Sequence, residues 1–126
     1  MMPRVTVVAA KKKFNKMARA VKINAQKLSA AAAHKSFFEV YLVDRTFMNK
    51  NVLAFRAAHK FPRPDVPGKF LGEIYLNPEY IKKHREDIRL MLVHGFAHLL
   101  GYDHKNKGDR IRMENKVGKL LKLLIS

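Results

Sequence analysis

Leu92-Val93-His94-Gly95-Phe96-Ala97-His98-Leu99-Leu100-Gly101-Tyr102-Asp103-His104 is the stretch on which the fold and chemistry of this chain turn. Ile88, Met91, Leu92, Phe96, Leu99 and Leu100 make the segment strongly apolar, and between Leu90 and Leu100 the polar side chains are His94 and His98. A helix this apolar is expected to be largely buried. Two ionisable rings four residues apart lie on one helix face, one turn apart. Burying two imidazoles side by side is unfavourable without partners. A metal ion supplies the partner, because neutral imidazole is a good zinc ligand. Gly101 can take a positive φ and turn the chain back after the helix, which returns His104 towards the same ion.

The spacing His-x3-His-x2-Gly-x2-His is the metal-ligand spacing of metzincin metalloproteases. Three histidines without a fourth protein ligand leave a position for water, as in a catalytic zinc site. The proteases place a glutamate general base beside the first ligand, whereas Gly95 stands there in this chain and Ala97 follows. Peptide hydrolysis is therefore disfavoured. Asp103, the nearest acid, is expected behind the ligands, orienting a histidine ring, with a cap on the turn as the alternative. His34, His59 and His84 have no such context and read as surface residues.

Outward from this stretch, residues 4–9 alternate as a strand. Residues 12–29 read as an amphipathic helix, with Phe14, Met17, Ala18, Val21, Ala25 and Leu28 on one face and lysines opposite. Phe37–Val43 and Asn51–Phe55 read as strands, with one polar helical turn between them. Residues 56–70 form a loop punctuated by Pro62, Pro64, Pro67 and Gly68. Leu71–Asn77 is a fourth strand ended by Pro78, with Tyr80 and Ile81 in a short turn. Helices are expected over about Arg85–Leu100 and Arg110–Leu124, the last capped by Asp109 and buried through Met113, Val117, Leu120, Leu121 and Leu124. The fold class is α+β: a small mixed four-stranded sheet packed with about three main helices, the metal site on the central buried helix.

The 126 residues and 14.5 kDa fit one domain, residues 1–126. An apolar content of 48% suffices for a core. The chain lacks cysteine, which excludes disulfides, thiolate zinc fingers, iron–sulfur sites and a cysteine nucleophile. No run approaches the roughly 18–20 apolar residues of a membrane span. The N-terminus lacks a signal-peptide core; its basic, acid-free character faintly suggests a transit peptide, but strand and helix periods account for it better. The 26 basic and 10 acidic residues give a net charge of +16. The excess is uneven: Arg4, Lys11, Lys12, Lys13, Lys16, Arg19, Lys22, Lys27 and Lys35 all precede the first acid, Glu39. Such a balance is the footprint of polyanion binding.

With these residues in place, the chain resembles the YbeY-type family, bacterial metal-dependent endoribonucleases linked to ribosomal RNA maturation. The family pattern is close to His-Gly-x-Leu-His-Leu-x-Gly-Tyr-Asp-His, which residues 94–104 repeat except at Ala97. Asn51-Val52-Leu53-Ala54-Phe55 resembles the family's Val-Leu-Ser-Phe strand. Leu71-Gly72-Glu73-Ile74 resembles its Leu-Gly-Asp-Ile strand, and Met113-Glu114 falls where the family has a Met-Glu pair. The likeness covers nearly the whole chain and is weak over the first 36 residues. It implies an α+β fold, one zinc-class ion on His94, His98 and His104, and cleavage of single-stranded RNA beside ribosomal partners.

Two departures bear on the site. The family carries a longer segment before the Val-Leu-Ser-Phe strand, with an active-site arginine that Asp44–Lys50 lacks. Lys50, Ala54 and Arg56 replace the family's Thr, Ser and Pro. A cation is needed to stabilise charge on the phosphoryl group. Arg45, Lys50 and Arg56 are the candidates, and Arg56 is preferred because it leaves the strand towards the loop. The expected function is a metal-dependent single-strand endoribonuclease of ribosomal RNA processing, using metal-activated water or a metal-polarised phosphate. Lys11, Lys12, Lys13, Lys16, Lys50, Lys60 and Arg63 are the candidate RNA contacts. Zn2+ is the expected ion, with nickel, cobalt or copper able to use the same ligands. The expected partners are RNA and the small ribosomal subunit or its proteins, for a cytoplasmic monomer without membrane attachment. The rival readings are a non-catalytic RNA- or ribosome-binding factor with a structural metal, and a metal hydrolase of another substrate.

Overall fold

The computed structural model describes residues 5–32, 36–57 and 69–125. The elements run β1 (Val5–Ala9), a single 3-10 turn (Lys12–Phe14), α1 (Asn15–Ala31), β2 (Phe37–Leu42), β3 (Val52–Arg56), β4 (Phe70–Leu76), α2 (Pro78–Lys83), α3 (Ile88–Leu99) and α4 (Lys107–Ile125). The strands form one mixed sheet in the order β1-β2-β4-β3. β1, β2 and β4 are parallel, and β3 runs antiparallel to β4 along the sheet edge. The architecture is α+β, as the patterning predicts.

Strand alternation puts the core on one face. Val5, Phe38, Val40, Leu42, Ile74 and Leu76 are buried and join Leu28 of α1, Phe96 of α3 and Leu120 of α4 in one cluster. The rings of Phe38 and Phe96 meet with centroids 5.0 Å apart. α1 lies on β1, and α3 lies on β3 and β4, with α4 against both helices. The opposite face carries Glu39, Tyr41, Glu73, Tyr75 and Phe55, none of them buried. Between Phe37 and Glu39 the β2–β4 register shifts, and Gly72 in the irregular stretch takes a φ of +137°. A Cβ there would lie 2.1 Å from the Phe55 carbonyl oxygen, so only glycine lets β3 pair at this point.

Several boundaries differ from the sequence expectation, each for a local reason. The helix expected from Arg85 begins at Ile88, because the Asp87 side chain accepts from the Arg89 amide at 2.8 Å and caps it. The last helix begins at Lys107 rather than Arg110. Asn106 takes the capping role assigned to Asp109, accepting from the Asp109 amide at 2.8 Å. Tyr80 and Ile81 lie in a short helix, with Asn77 as cap and Pro78 at its first turn, where a missing amide hydrogen costs nothing. The third strand is shifted by one residue and includes Arg56. The expected loop centre, with Pro62, Pro64, Pro67 and Gly68, lies outside the described residues, as do His34, His59, Lys60 and Arg63.

Candidate metal centre

α3 carries the first two histidines. Leu92, Val93, Phe96 and Leu99 pin it into the core, while His94 and His98 remain half-buried on its other side. Gly95 lets the helix lie close to the sheet: a Cβ there would sit 2.9 Å from Ile74 Cγ2 and 3.3 Å from Val52 Cγ2. The helix ends at Leu99, and Gly101 takes a φ of +104°. The amides of Gly101 and Tyr102 donate to the carbonyls of His98 and Ala97 at 3.0 and 3.1 Å. This turn returns His104 to the other two rings.

The three rings converge. One ligand nitrogen from each of His94, His98 and His104 lies within 4.8 Å of the others. The Nε2 atoms of His94 and His98 are 3.3 Å apart. Two nitrogens each about 2.05 Å from a tetrahedral ion are separated by about 3.3 Å. The donor set is thus both chemically and geometrically suited to a zinc-class ion. Burial is the first cause of a lowered pKa at His94, followed by repulsion from His98 and His104. His98 is lowered chiefly by burial and then by His104. Asp103 and the Tyr102 carbonyl, which accepts from the His98 ring, act in the opposite direction. Both shifts favour the neutral rings that a metal requires. Tyr102 thus acts on His98 through its main chain, an influence that leaves no mark in the sequence.

The cleft over the histidines has a volume of about 320 Å3 and is completed by Lys50, Val52, Leu53 and Ala54. The main chain is held on both sides of Lys50. Asn77 Nδ2 donates to the Met48 carbonyl at 3.0 Å. Asn51 donates from its side chain to Glu86 and accepts from the Asn77 amide at its carbonyl. Among the described residues Lys50, two positions before β3, is the cation that lines the cleft with the three histidines.

Arg56, the preferred phosphate cation, lies elsewhere. It does not line the histidine cleft; it ends β3 opposite Gly72, and its guanidinium lies over Gly101 in a neighbouring cleft. Asp103 accepts from the His104 amide at 2.7 Å, which holds its carboxyl below the ordinary range. Among the described residues it makes no hydrogen bond to a ring nitrogen, so its geometry is that of a turn cap. Lys13 is paired with Glu79 at 3.0 Å in a separate cleft with Asp44 and Arg45. Lys11, Lys12 and Lys16 are exposed and do not line the histidine cleft. His84 is an exposed residue whose ring lies tilted against Tyr80, with centroids 4.1 Å apart. No described helix is long and apolar enough to cross a membrane.

Comparison with known proteins agrees with this arrangement. A Rhizobium etli protein named Endoribonuclease YbeY is 38% identical over 81 residues, covering 56% of this chain and 46% of that protein. A Helicobacter pylori protein of the same name is 36% identical over 75 residues, covering 52% of this chain and 53% of that protein. The chain thus spans about half the length of the curated relatives it matches. The solution structure of TM1509 from Thermotoga maritima shares the fold with a TM-score of 0.50 at 20% identity, over 96% of this chain and 89% of that one. Residues 5–124 match the family described as Endoribonuclease YbeY. Because that match runs from the first residue of β1 to the buried Leu124 of α4, the chain belongs to the YbeY family.

Proposed function

We propose that residues 1–126 act as one YbeY-like domain, a metal-dependent endoribonuclease that cleaves single-stranded RNA in ribosomal RNA maturation. The observation that carries this reading is the convergence of three histidine nitrogens within 4.8 Å beside Lys50 in one cleft. The names of the relatives and the +16 charge support it. His94, His98 and His104 would hold the ion, with Zn2+ favoured by an all-imidazole set. Such an ion supplies Lewis acidity at a phosphoryl oxygen and an acidified water near neutral pH. The chain's own residues do the rest. Lys50 anchors the phosphate as a point charge, and Val52, Leu53 and Ala54 floor the cleft and limit water. On this reading the partners are RNA and the small ribosomal subunit or its proteins and the compartment is the cytoplasm; the basic surface supports the RNA partner and, through self-repulsion, a monomer.

A second reading, a non-catalytic RNA- or ribosome-binding factor with a structural ion, draws on one feature. Among the described residues neither a carboxylate nor an arginine lines the histidine cleft. Cleavage of single-stranded ribosomal RNA separates the two. Metal-loaded wild type should cut; chelated wild type and His98→Ala should not, with metal restoring the wild type alone. Intact RNA bound by metal-loaded wild type would establish the binding factor instead.

A further inference from the structure

A second cleft, of about 520 Å3, opens beside the turn that follows α3. The same two elements wall it and the histidine cleft. Val52–Ala54 of β3 and His104 face the first, while Arg56 of β3 and Gly101–Asp103 of the turn face the second. A strand passing over the histidines and along β3 enters it next. β3 has five residues, and at about 3.3 Å per residue its ends are roughly 13 Å apart. Lys50 stands before one end and Arg56 at the other.

The charges within this second cleft are not equivalent. Arg112 is paired with Asp109, and Lys105 lies 4.0 Å from Asp103. Arg56 has no carboxylate partner among the described residues. Its guanidinium rests on the turn at Gly101, where a Cβ would lie 3.5 Å from Nη2. Gly101 thus allows the turn and seats the arginine. The cleft also holds Tyr102, half-buried and aromatic. A cavity of this volume lies within the roughly 300–1,000 Å3 of small-ligand sites and admits one nucleotide. A planar guanidinium with spare donors suits a phosphate, and an aromatic side chain suits a base of any identity.

We propose that this cleft is the flanking-nucleotide subsite of the RNA path, with Arg56 on a phosphate and Tyr102 against a base. The proposal rests on the endoribonuclease reading for its ligand. It gives Arg56 a binding role one step away from the reacting phosphate, and it makes the histidine cleft and this one a continuous track.

Equilibrium binding of a fluorescent single-stranded RNA octamer to the chelated protein tests it without any turnover. Arg56→Ala should weaken binding about tenfold, as loss of a charge-assisted phosphate contact does. Its log–log salt slope should fall by about 0.7. Arg56→Lys should recover part of the affinity. Tyr102→Phe should bind like wild type, and Tyr102→Leu at least about fivefold more weakly. Lys22→Ala, on the exposed side of α1, controls for the loss of one charge anywhere. An Arg56→Ala protein that binds as tightly as Lys22→Ala overturns the subsite, whether or not metal-loaded wild type cuts RNA. An Arg56-specific loss in a protein that never cuts RNA upholds the subsite and removes the nuclease reading.

Discussion

Gly95 sets the depth at which α3 meets the sheet, and with it the height of His94 and His98 over β3. Its missing side chain faces Ile74, which is fully buried, and Val52. A protease-type glutamate at this position would be driven into the core and away from the ion, so the absence of a general base and the tightness of packing have one cause. Gly95→Ala should destabilise the protein. Overpacking against a β-branched neighbour costs about 1–3 kcal/mol, while the better helix propensity of alanine returns about 1 kcal/mol. The net should be a fall of a few degrees in Tm by calorimetry. An unchanged or higher Tm would mean that α3 can lift from the sheet freely. At this scale the sequence showed the three histidines and the turn at Gly101 plainly, because chemistry and spacing coincide there. It did not separate Lys50 from Arg56. Which cation reaches the cleft depends on where β3 begins and on the irregular pairing at Gly72, and no side chain reports either.

The elements themselves were largely legible, since the long helices carry clear hydrophobic periods. α1 shows Val21, Ala25 and Leu28 buried at spacings of four and three, and α4 shows Met113, Leu120 and Leu124 at spacings of seven and four. The ends were less legible because capping is a competition among neighbours. Asn106 and Asp109 are both good cap residues, and Asn106 prevails by accepting the Asp109 amide. Asp109 then lies in the first turn, where its charge suits the helix dipole and pairs with Arg112. Gly118, in the middle of α4, shows no such purpose: among the described residues nothing lies within 4 Å of a Cβ placed there. Gly118→Ala should therefore stabilise the protein by about 0.5–1 kcal/mol, the ordinary cost of glycine in a helix. Chemical denaturation should show a higher midpoint with an unchanged slope. A lower midpoint would reveal a close partner for this face of α4.

Across the whole molecule, charge is segregated rather than paired. Four ion pairs join described residues, each with at least one clearly exposed partner, and such pairs contribute about 0–1 kcal/mol apiece. Two of the ten acids, Glu39 and Glu73, sit side by side across β2 and β4 on the sheet face away from the helices. Tyr75 donates its hydroxyl to Glu73, which, with burial, pushes the tyrosine pKa up to about 12. Among the described residues neither Lys50 nor Arg56 forms an ion pair with any acid. A net charge of +16 on 126 residues repels itself when the chain is compact. Exposed charges farther apart than about 8 Å are screened at physiological ionic strength. Added chloride salt should consequently raise Tm while it weakens RNA binding, because the first effect relieves repulsion within the fold and the second removes attraction for phosphate. Scanning calorimetry and anisotropy titration across one sodium chloride series at fixed pH check the two signs together. A Tm that falls with salt would show that the few ion pairs outweigh the repulsion, and the basic surface would then be a source of stability as well as of affinity.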